Sequence, residues 1–408
     1  EGLMNDLCLV MLPNPQLTNP KMYYSLGILY LSAVTKRAGF TTIIADLRDG
    51  LKDLPEARYY GFSATTPEIA YAKKLAGMVN GKTIIGGAHA TLLPKDCLGY
   101  FDYLVMGEGE EAICDILWNK PHYSILVGNR IPVLDRIPYP DWDAIENPFS
   151  ETLFPGEKYD KGEKAATLIA SRGCPFNCAF CANIYYIPVI FRGVDNIIGE
   201  IKELKIRGIR YFRFEDDNVT IHPNFSELMS QLAELEIIWK CHARSDLLTQ
   251  AKAKLMKEAG CEECGIGIES ADNIVLKLNN KQESVEDHSQ ALTILHNAGI
   301  RAKAYWVMGL PGETDETVRL NKEFTEQYKP DKWTVSTFTP YPGCAIYKHP
   351  NDFGIRIIDE DFNHWWNFNE ETNRYNHIIL GQTMSQMWNR YKEFYGWLKE
   401  GTWQNAKL

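Results

Sequence analysis

Short apolar runs alternate with segments of helical period along most of this chain, and that alternation restricts it to parallel sheets covered by helices. In the first third, runs at 7–12, 41–45, 59–63, 83–85 and 103–106 are separated by helical patterns at 27–38, 68–79 and 110–118. Gly39 and the pair Asn80-Gly81 are natural C-terminal stops. The pattern predicts a doubly wound parallel sheet over residues 4–130. Only residues 49–56 separate the second run from the third, so the helix there is short or lost. Ligands of such sheets sit at the carboxyl ends of the strands. Those ends carry Pro13-Asn14-Pro15, Ser63-Ala64-Thr65-Thr66, Gly86-Gly87-Ala88-His89 and Gly107-Glu108-Gly109.

Residues 131–164 are rich in Pro and acidic side chains and weak in periodicity, which reads as an inter-domain linker. The alternation then resumes with a longer beat. Strand-like runs at 166–170, 210–215, 237–242, 263–269, 302–308 and 332–338 are separated by helical patterns at 194–207, 224–235, 246–259, 285–298 and 315–328. Six such units over 165–340 predict an α/β partial barrel of the (β/α)6, TIM-like kind, with chemistry at the carboxyl ends of its strands. The tail, 341–408, holds five of the ten tryptophans: Trp365, Trp366, Trp388, Trp397 and Trp403. Met384, Met387, Trp388, Tyr391, Phe394, Tyr395 and Leu398 recur there at helical spacing, which predicts a helix packing an aromatic face on the barrel.

A net charge of -10 argues against a broad electrostatic grip on nucleic acid, and no apolar stretch is long enough to span a membrane. A small-molecule or peptidic substrate is the expected partner. The ten cysteines are even in number, yet their spacing is not that of a disulfide framework. Cys8, Cys97, Cys114, Cys241, Cys261, Cys264 and Cys344 are scattered, whereas Cys174, Cys178 and Cys181 fall within eight residues. No secretory signal precedes the first apolar run, so a reducing cytoplasm is expected, where clustered thiols mean metal or catalysis.

The cluster reads Gly173-Cys174-Pro175-Phe176-Asn177-Cys178-Ala179-Phe180-Cys181, directly after the first strand-like run of the barrel half. Three thiolates on one loop suffice for three irons of a cubane and leave the fourth without a protein ligand. Structural zinc is the competing reading, but it asks for four ligands in paired spacing and no matching pair follows closely. Cys-x3-Cys-x2-Cys with an aromatic before the last Cys resembles the signature of the radical SAM superfamily. The resemblance implies that Cys174, Cys178 and Cys181 ligate a [4Fe-4S] cluster, with Phe180 beside the cluster or the adenine. The open iron would chelate S-adenosylmethionine, which is reductively cleaved to methionine and a 5'-deoxyadenosyl radical. It further implies Glu215 as partner of the methionyl ammonium, Arg244 of its carboxylate, Glu269 and Ser270 at the ribose, and Gly309, in Met308-Gly309-Leu310-Pro311-Gly312-Glu313, close to the adenine. Cys344 is a candidate hydrogen donor and Tyr305 a second candidate catalytic residue.

The first half adds YYSLGILYL (23–31), GFSATTPE (61–68), GGAHAT (86–91), GEGEE (107–111) and IPYPDW (137–142). These segments resemble the Rossmann-like cobalamin-binding domain and linker that precede the barrel in cobalamin-dependent radical SAM enzymes. The resemblance implies cobalamin contacts from Ser63, Thr65, Gly86, Gly87, Glu108 and Gly109. The Asp-x-His-x-x-Gly motif that supplies a histidine to cobalt elsewhere is absent, Asn14-Pro15-Gln16-Leu17 standing in its place. His89 reads as a packing residue rather than a corrin contact. The implied activity is cobalamin-dependent methyl transfer to an unactivated carbon. The alternative is a radical rearrangement, oxidation or epimerisation on the same architecture, and either requires a reductant such as flavodoxin or ferredoxin.

Overall fold

The computed structural model describes residues 4–14, 19, 24–50, 52–146, 149, 163–182, 188–365 and 375–401. They form two compact units, Glu1–Ser150 with Asp361–Trp366, and Glu151–Glu360 with Asn367–Leu408.

The first unit runs β1 (Asn5–Met11), α1 (Leu26–Arg37), β2 (Thr42–Asp46), β3 (Ala57–Ser63), α2 (Ile69–Ala76), β4 (Lys82–Gly86), α3 (Gly87–Leu92), α4 (Pro94–Cys97), β5 (Tyr103–Gly107), α5 (Gly109–Asn119) and β6 (Ile125–Gly128). Its strands are all parallel, in the order β2-β1-β3-β4-β5-β6. Consecutive residues of β1, from Leu7 to Met11, are buried, because helices cover both faces of the sheet. The strand order reverses between β1 and β3, which makes their carboxyl ends the topological switch point where a ligand can enter.

The five expected strands and the three expected helices are present. No helix lies between β2 and β3 among the described residues, in keeping with the short connection there. The sixth strand has no sequence signature: Ile125 and Val127 are exposed and only Leu126 is buried, as befits a short edge strand. Residues 131–146 of the expected linker fold as a strap on α1. Ile131, Leu134, Ile137 and Trp142 are buried, Ser32 donates to Asp141 at 2.5 Å and Lys36 pairs with Asp141 at 2.7 Å. Residues 151–162 of that linker, and Pro15 to Leu17 in the first loop, lie outside the described residues.

The second unit opens with β7 (Ala165–Leu168) and the antiparallel pair β8 (Ser171–Arg172) and β9 (Ile190–Phe191). It continues with α6 (Val194–Ile206), β10 (Tyr211–Phe214), α7 (Phe225–Ala233), β11 (Ile238–Ala243), α8 (Gln250–Glu258), β12 (Cys261–Glu269), α9 (Asn273–Leu278), α10 (Val285–Ala298), β13 (Arg301–Met308), α11 (Asp315–Tyr328) and β14 (Lys332–Thr337). The strands of its main sheet are parallel and ordered β14-β13-β12-β11-β10-β7, an open six-stranded sheet as the partial barrel requires. A short α12 (Ala345–Lys348), the antiparallel pair β15 (Ile355–Ile357) and β16 (His377–Ile379), and α13 (Met384–Glu400) complete it.

Alternation along these strands sorts their side chains between two faces. Phe212, Phe214, Trp239 and Trp306 are fully buried on the helix-covered face. Trp306 meets Phe324 of α11 and Phe394 of α13 edge-on, with ring centroids 5.9 and 5.3 Å apart. The tail helix thus packs its aromatic stripe on the barrel, as its periodicity predicts, while Trp366 and Trp403 lie outside the described residues. The other face carries Arg213, Lys240, His242, Lys303 and Tyr305, which keep part of their surface accessible. Trp306→Ala removes the ring that joins strand, α11 and α13, so a loss of about 3–5 kcal/mol is expected. Urea denaturation of the variant against the parent protein checks it.

Candidate active site

The cluster loop leaves β8 at Gly173, whose φ of +109° lies in the region glycine favours. Cys174, Cys178 and Cys181 are only partly buried, whereas the other seven thiols are buried. Cys181 N–H donates to Cys178 O at 3.1 Å, which closes the turn and keeps both thiols on it. Among the described residues no three thiol, imidazole or carboxylate groups gather around a single-ion position. Three partly exposed thiols on one loop fit a cubane, in which each thiolate takes its own iron.

A second loop, 279–283, holds the first one. Asn279 is fully buried, its carbonyl accepts from Ala179 N–H at 2.8 Å, and its side-chain amide donates to Val275 O and Pro311 O at 2.8 and 3.0 Å. Asn280 and Gln282 donate to Asn177 Oδ1 at 3.0 and 2.8 Å. Lys281 pairs with Glu269 at 3.2 Å and Glu283 at 3.1 Å. Burial pushes the Cys178 thiol up, while Lys281 and then Arg244 pull it down, so two cations already face the charge a thiolate would carry. Beneath the loop, Asp216 accepts from Ala170 N–H at 2.8 Å and Ser171 Oγ at 2.5 Å. Its carboxyl, fully enclosed, is pushed up to about 6 by burial.

The expected cofactor residues gather at these strand ends, but several have other work. Glu215 is half-buried and pairs with Arg213 at 2.6 Å, and burial raises its pKa. Glu269 ends β12 with a φ of +60°, a conformation a glutamate adopts only under constraint. Phe180 is partly exposed beside Cys181. The Arg244 guanidinium donates to Asp246 at 3.0 and 3.2 Å and to Lys281 O and Gln282 O at 3.2 Å. It also lies 3.7 Å from the Phe176 ring centroid and 3.9 Å from Cys178 Sγ. Through these contacts it holds the cluster loop. The buried Ser270 hydroxyl accepts from Asp272 N–H at 3.2 Å. Cys344 is buried and caps α12, its sulfur accepting from Tyr347 N–H at 3.3 Å, and burial pushes its thiol up to about 11. Tyr305 lies on the open face against His242, ring centroids 5.4 Å apart.

The Gly309–Gly312 turn is clamped by the tail. An added Cβ on Gly309 would come within 2.4 Å of the Tyr375 ring, so this glycine answers first to a tail residue. His377 Nε2 approaches Gly309 O at 2.8 Å, Gly309 N–H donates to Glu313 at 2.6 Å, and Arg390 Nε donates to Glu313 at 3.0 Å. Burial pushes Glu313 up to about 7 against the pull of Gly309 N–H and Arg390.

At the switch point of the first unit, Ser63 is half-buried and the Thr65 hydroxyl donates to Glu68 at 2.8 Å. Asn14 also bonds the Glu68 carboxylate, whose pKa burial raises. Glu108 is buried and accepts from Arg130 and, at 2.6 Å, from Ile131 N–H, so it anchors the strap. Gly87 has a φ of +89° and an added Cβ would lie 2.8 Å from Ser63 Oγ, so it too serves the chain's own packing. Gly86 caps α3 in extended conformation, and Gly109, opening α5, faces Leu31. His89 is fully buried, 2.8 Å from Asp96 and 3.2 Å from Thr66 Oγ1, with Phe362 edge-on. It is a packing residue, as expected. Asn14, Ser63 and Thr65 thus stand at the β1 and β3 ends, with Asn14 and Thr65 both bonded to Glu68.

Sequence reading missed Asn279, Lys281, Glu283, Asp216, His377 and Arg390. The one available signal was Lys281-Gln282-Glu283 ahead of the Ser284 cap, and it reads equally well as an ordinary helix start.

Residues 168–324 match the Radical SAM superfamily and residues 20–117 the B12 binding domain. An uncharacterized methyltransferase of Pyrococcus horikoshii is 28% identical over 366 residues, covering 79% of this chain and 78% of its own. An anaerobic magnesium-protoporphyrin IX monomethyl ester cyclase of Rubrivivax gelatinosus is 26% identical over 418 residues, covering 90% and 73%. The radical S-adenosylmethionine methyltransferase TsrM of Kitasatospora setae has a similar fold, with a TM-score of 0.66 at 14% identity over 86% of this chain and 78% of that one.

Arg390→Met strands the buried Glu313 carboxylate. The expected loss is about 3 kcal/mol at alkaline pH and shrinks as pH falls toward 7, because without Arg390 the buried carboxyl takes up its proton at a higher pH than in the parent. Adding Glu313→Gln removes that pH dependence. Denaturation at pH 5.5 and 8.5 checks both.

Proposed function

The chain belongs to the radical SAM superfamily and carries a B12-binding domain ahead of its radical SAM domain; from this premise we propose a cobalamin-dependent methyltransferase acting on an unactivated carbon of a small molecule. One observation carries the reading: a three-thiol loop at the end of the first barrel strand, in one chain with a B12-binding domain. The relative named as a methyltransferase supports it. When bound, the cluster supplies the electron that cleaves S-adenosylmethionine, and cobalamin carries the methyl group delivered to the substrate carbon.

The chain's own side chains hold and screen these groups. Cys174, Cys178 and Cys181 ligate three irons. Lys281 and Arg244 offset the negative charge around Cys178, and Asn279 fixes the loop through Ala179. Glu215 accepts the cofactor ammonium and Glu269 the ribose hydroxyls, while Phe180 and the turn at Gly309 line the adenine side. In the first unit Ser63 and Thr65 offer hydroxyls at the switch point, beside the backbone at Gly86 and Gly87. A reductant of the flavodoxin or ferredoxin kind serves the cluster. Tyr305 stands on the open face where the substrate lies.

A second reading, radical chemistry without methyl transfer, draws support from the relative named as a cyclase. Products separate the two. After anaerobic reconstitution with iron, sulfide and cobalamin, incubation with S-adenosylmethionine, reductant and a substrate library should give S-adenosylhomocysteine together with 5'-deoxyadenosine. 5'-Deoxyadenosine alone with turnover would select the second reading, and absence of corrinoid uptake would sink the methyltransferase. Each of Cys174→Ala, Cys178→Ala and Cys181→Ala should abolish the iron–sulfur absorption and bring 5'-deoxyadenosine to background.

A further inference from the structure

Holding the cluster loop uses only part of the Arg244 guanidinium. Arg244 directly follows β11 and is 7% exposed. Two of its nitrogens fix the plane: Nε and Nη2 donate to the two Asp246 oxygens at 3.0 and 3.2 Å, and Nη2 also reaches the Lys281 and Gln282 carbonyls at 3.2 Å. The Phe176 ring, with its centroid 3.7 Å from the guanidinium carbon, backs it from within the cluster loop. The third nitrogen, Nη1, donates to Cys178 Sγ at 3.9 Å and lies 3.6 Å from Glu283 Oε2.

The three thiols do not share this cation evenly. Burial pushes both Cys174 and Cys178 up; Lys281 and then Arg244 oppose it at Cys178, whereas at Cys174 the Phe176 N–H opposes it first and Arg244 least. An iron–sulfur cluster's affinity for an electron depends on its net charge, on hydrogen bonds to its sulfurs and on its exposure to water. One electron from a ferredoxin- or flavodoxin-type donor adds one negative charge to a group that thiolates already make anionic. A guanidinium fixed against one of those sulfurs meets the added charge without reorganising, and its burial keeps the attraction from being screened. Arginine also stays protonated at any working pH. Asp246 acts in the opposite sense, since its carboxylate, with 26% of the side chain exposed, neutralises part of the same charge.

We propose that Arg244 is a positioning residue that acts through Cys178: its N–H contact with the sulfur raises the reduction potential of the cluster, and Asp246 limits the rise. This rests on reading Cys174, Cys178 and Cys181 as the cluster ligands and does not require methyl transfer. It is separate from the methionyl carboxylate contact that the family resemblance implies for Arg244, because it operates before S-adenosylmethionine is bound.

The full chain and its variants are reconstituted anaerobically with iron and sulfide. The midpoint potential is then read from the electron paramagnetic resonance signal of the reduced cluster, without S-adenosylmethionine, cobalamin or substrate. At the parent's midpoint, Arg244→Met should lower the ratio of reduced to oxidised cluster at least tenfold, about 59 mV for one electron. Arg244→Lys, which keeps the charge, should lie closer to the parent, and Asp246→Asn should shift the potential upward. A loop merely loosened by substitution would not move Arg244→Met and Asp246→Asn in opposite directions. An Arg244→Met protein at the parent's potential, or a shift of both variants in one direction, overturns the proposal. If Arg244→Met takes up no cluster, Asp246→Asn decides alone, and a potential at or below the parent's overturns the proposal. A parent protein that takes up no cluster overturns it together with the cluster reading, whereas loss of the methyltransferase reading alone leaves the measured potentials as they are.

Discussion

The hydrogen bond from Ala179 N–H to the Asn279 carbonyl joins the two loops on which the site is built. Ala179 sits between the second and third cluster thiols, and Asn279 reaches with its side chain to Pro311 in the turn after β13. A fully buried amide with fixed donors leaves little freedom at either end, so displacement of one loop is felt by the other. Lys281 and Arg244 add charge to the same junction, each bonded to carboxylates and close to Cys178. Thiols, strand ends and the Gly309 turn are in this way parts of one support.

The two faces of the second sheet meet opposite demands. On the helix side, large rings such as Trp239 and Trp306 fill the space between strands and helices, and the strand positions between them are free of that duty. Those positions hold lysines, arginines and His242 at a cost that pure stability would not select. Polar groups so placed are a sign of ligand chemistry, and they stand on the same strands whose carboxyl ends carry Glu215 and Glu269.

Much of the architecture was legible because periodicity is a local property. Eleven strands were expected and all eleven are found, with ends shifted by a few residues. What escaped was set by tertiary contact: β6 pairs at an edge with one buried residue, and the strap at 131–146 is stabilised by Asp141 reaching α1. The cluster thiols were legible because their spacing is itself the chemistry. The contacts that hold Arg244 and Glu108 were not legible, since residue type and strand-end position say nothing of partners distant in sequence, such as the Lys281 carbonyl or Ile131 N–H. Asn279 and Arg390 carried no signal, because an Asn after a helix or an Arg within one is ordinary.

The tail contributes to both units. Asp361–Trp366 belongs with the first, where Trp365 is 1% exposed and Phe362 meets His89, whereas Tyr375, His377 and Arg390 clamp the Gly309 turn of the second. The first unit is therefore discontinuous along the gene. Cutting the chain between its two domain-sized halves and expressing them apart would leave the amino-terminal piece without its Trp365 plug. Swapping tails between relatives would exchange part of the wall of one unit and the brace of the Gly309 turn in the other in a single recombination event. A segment that looks like an appendage is in this sense a shared part, and the two halves are bound to change together.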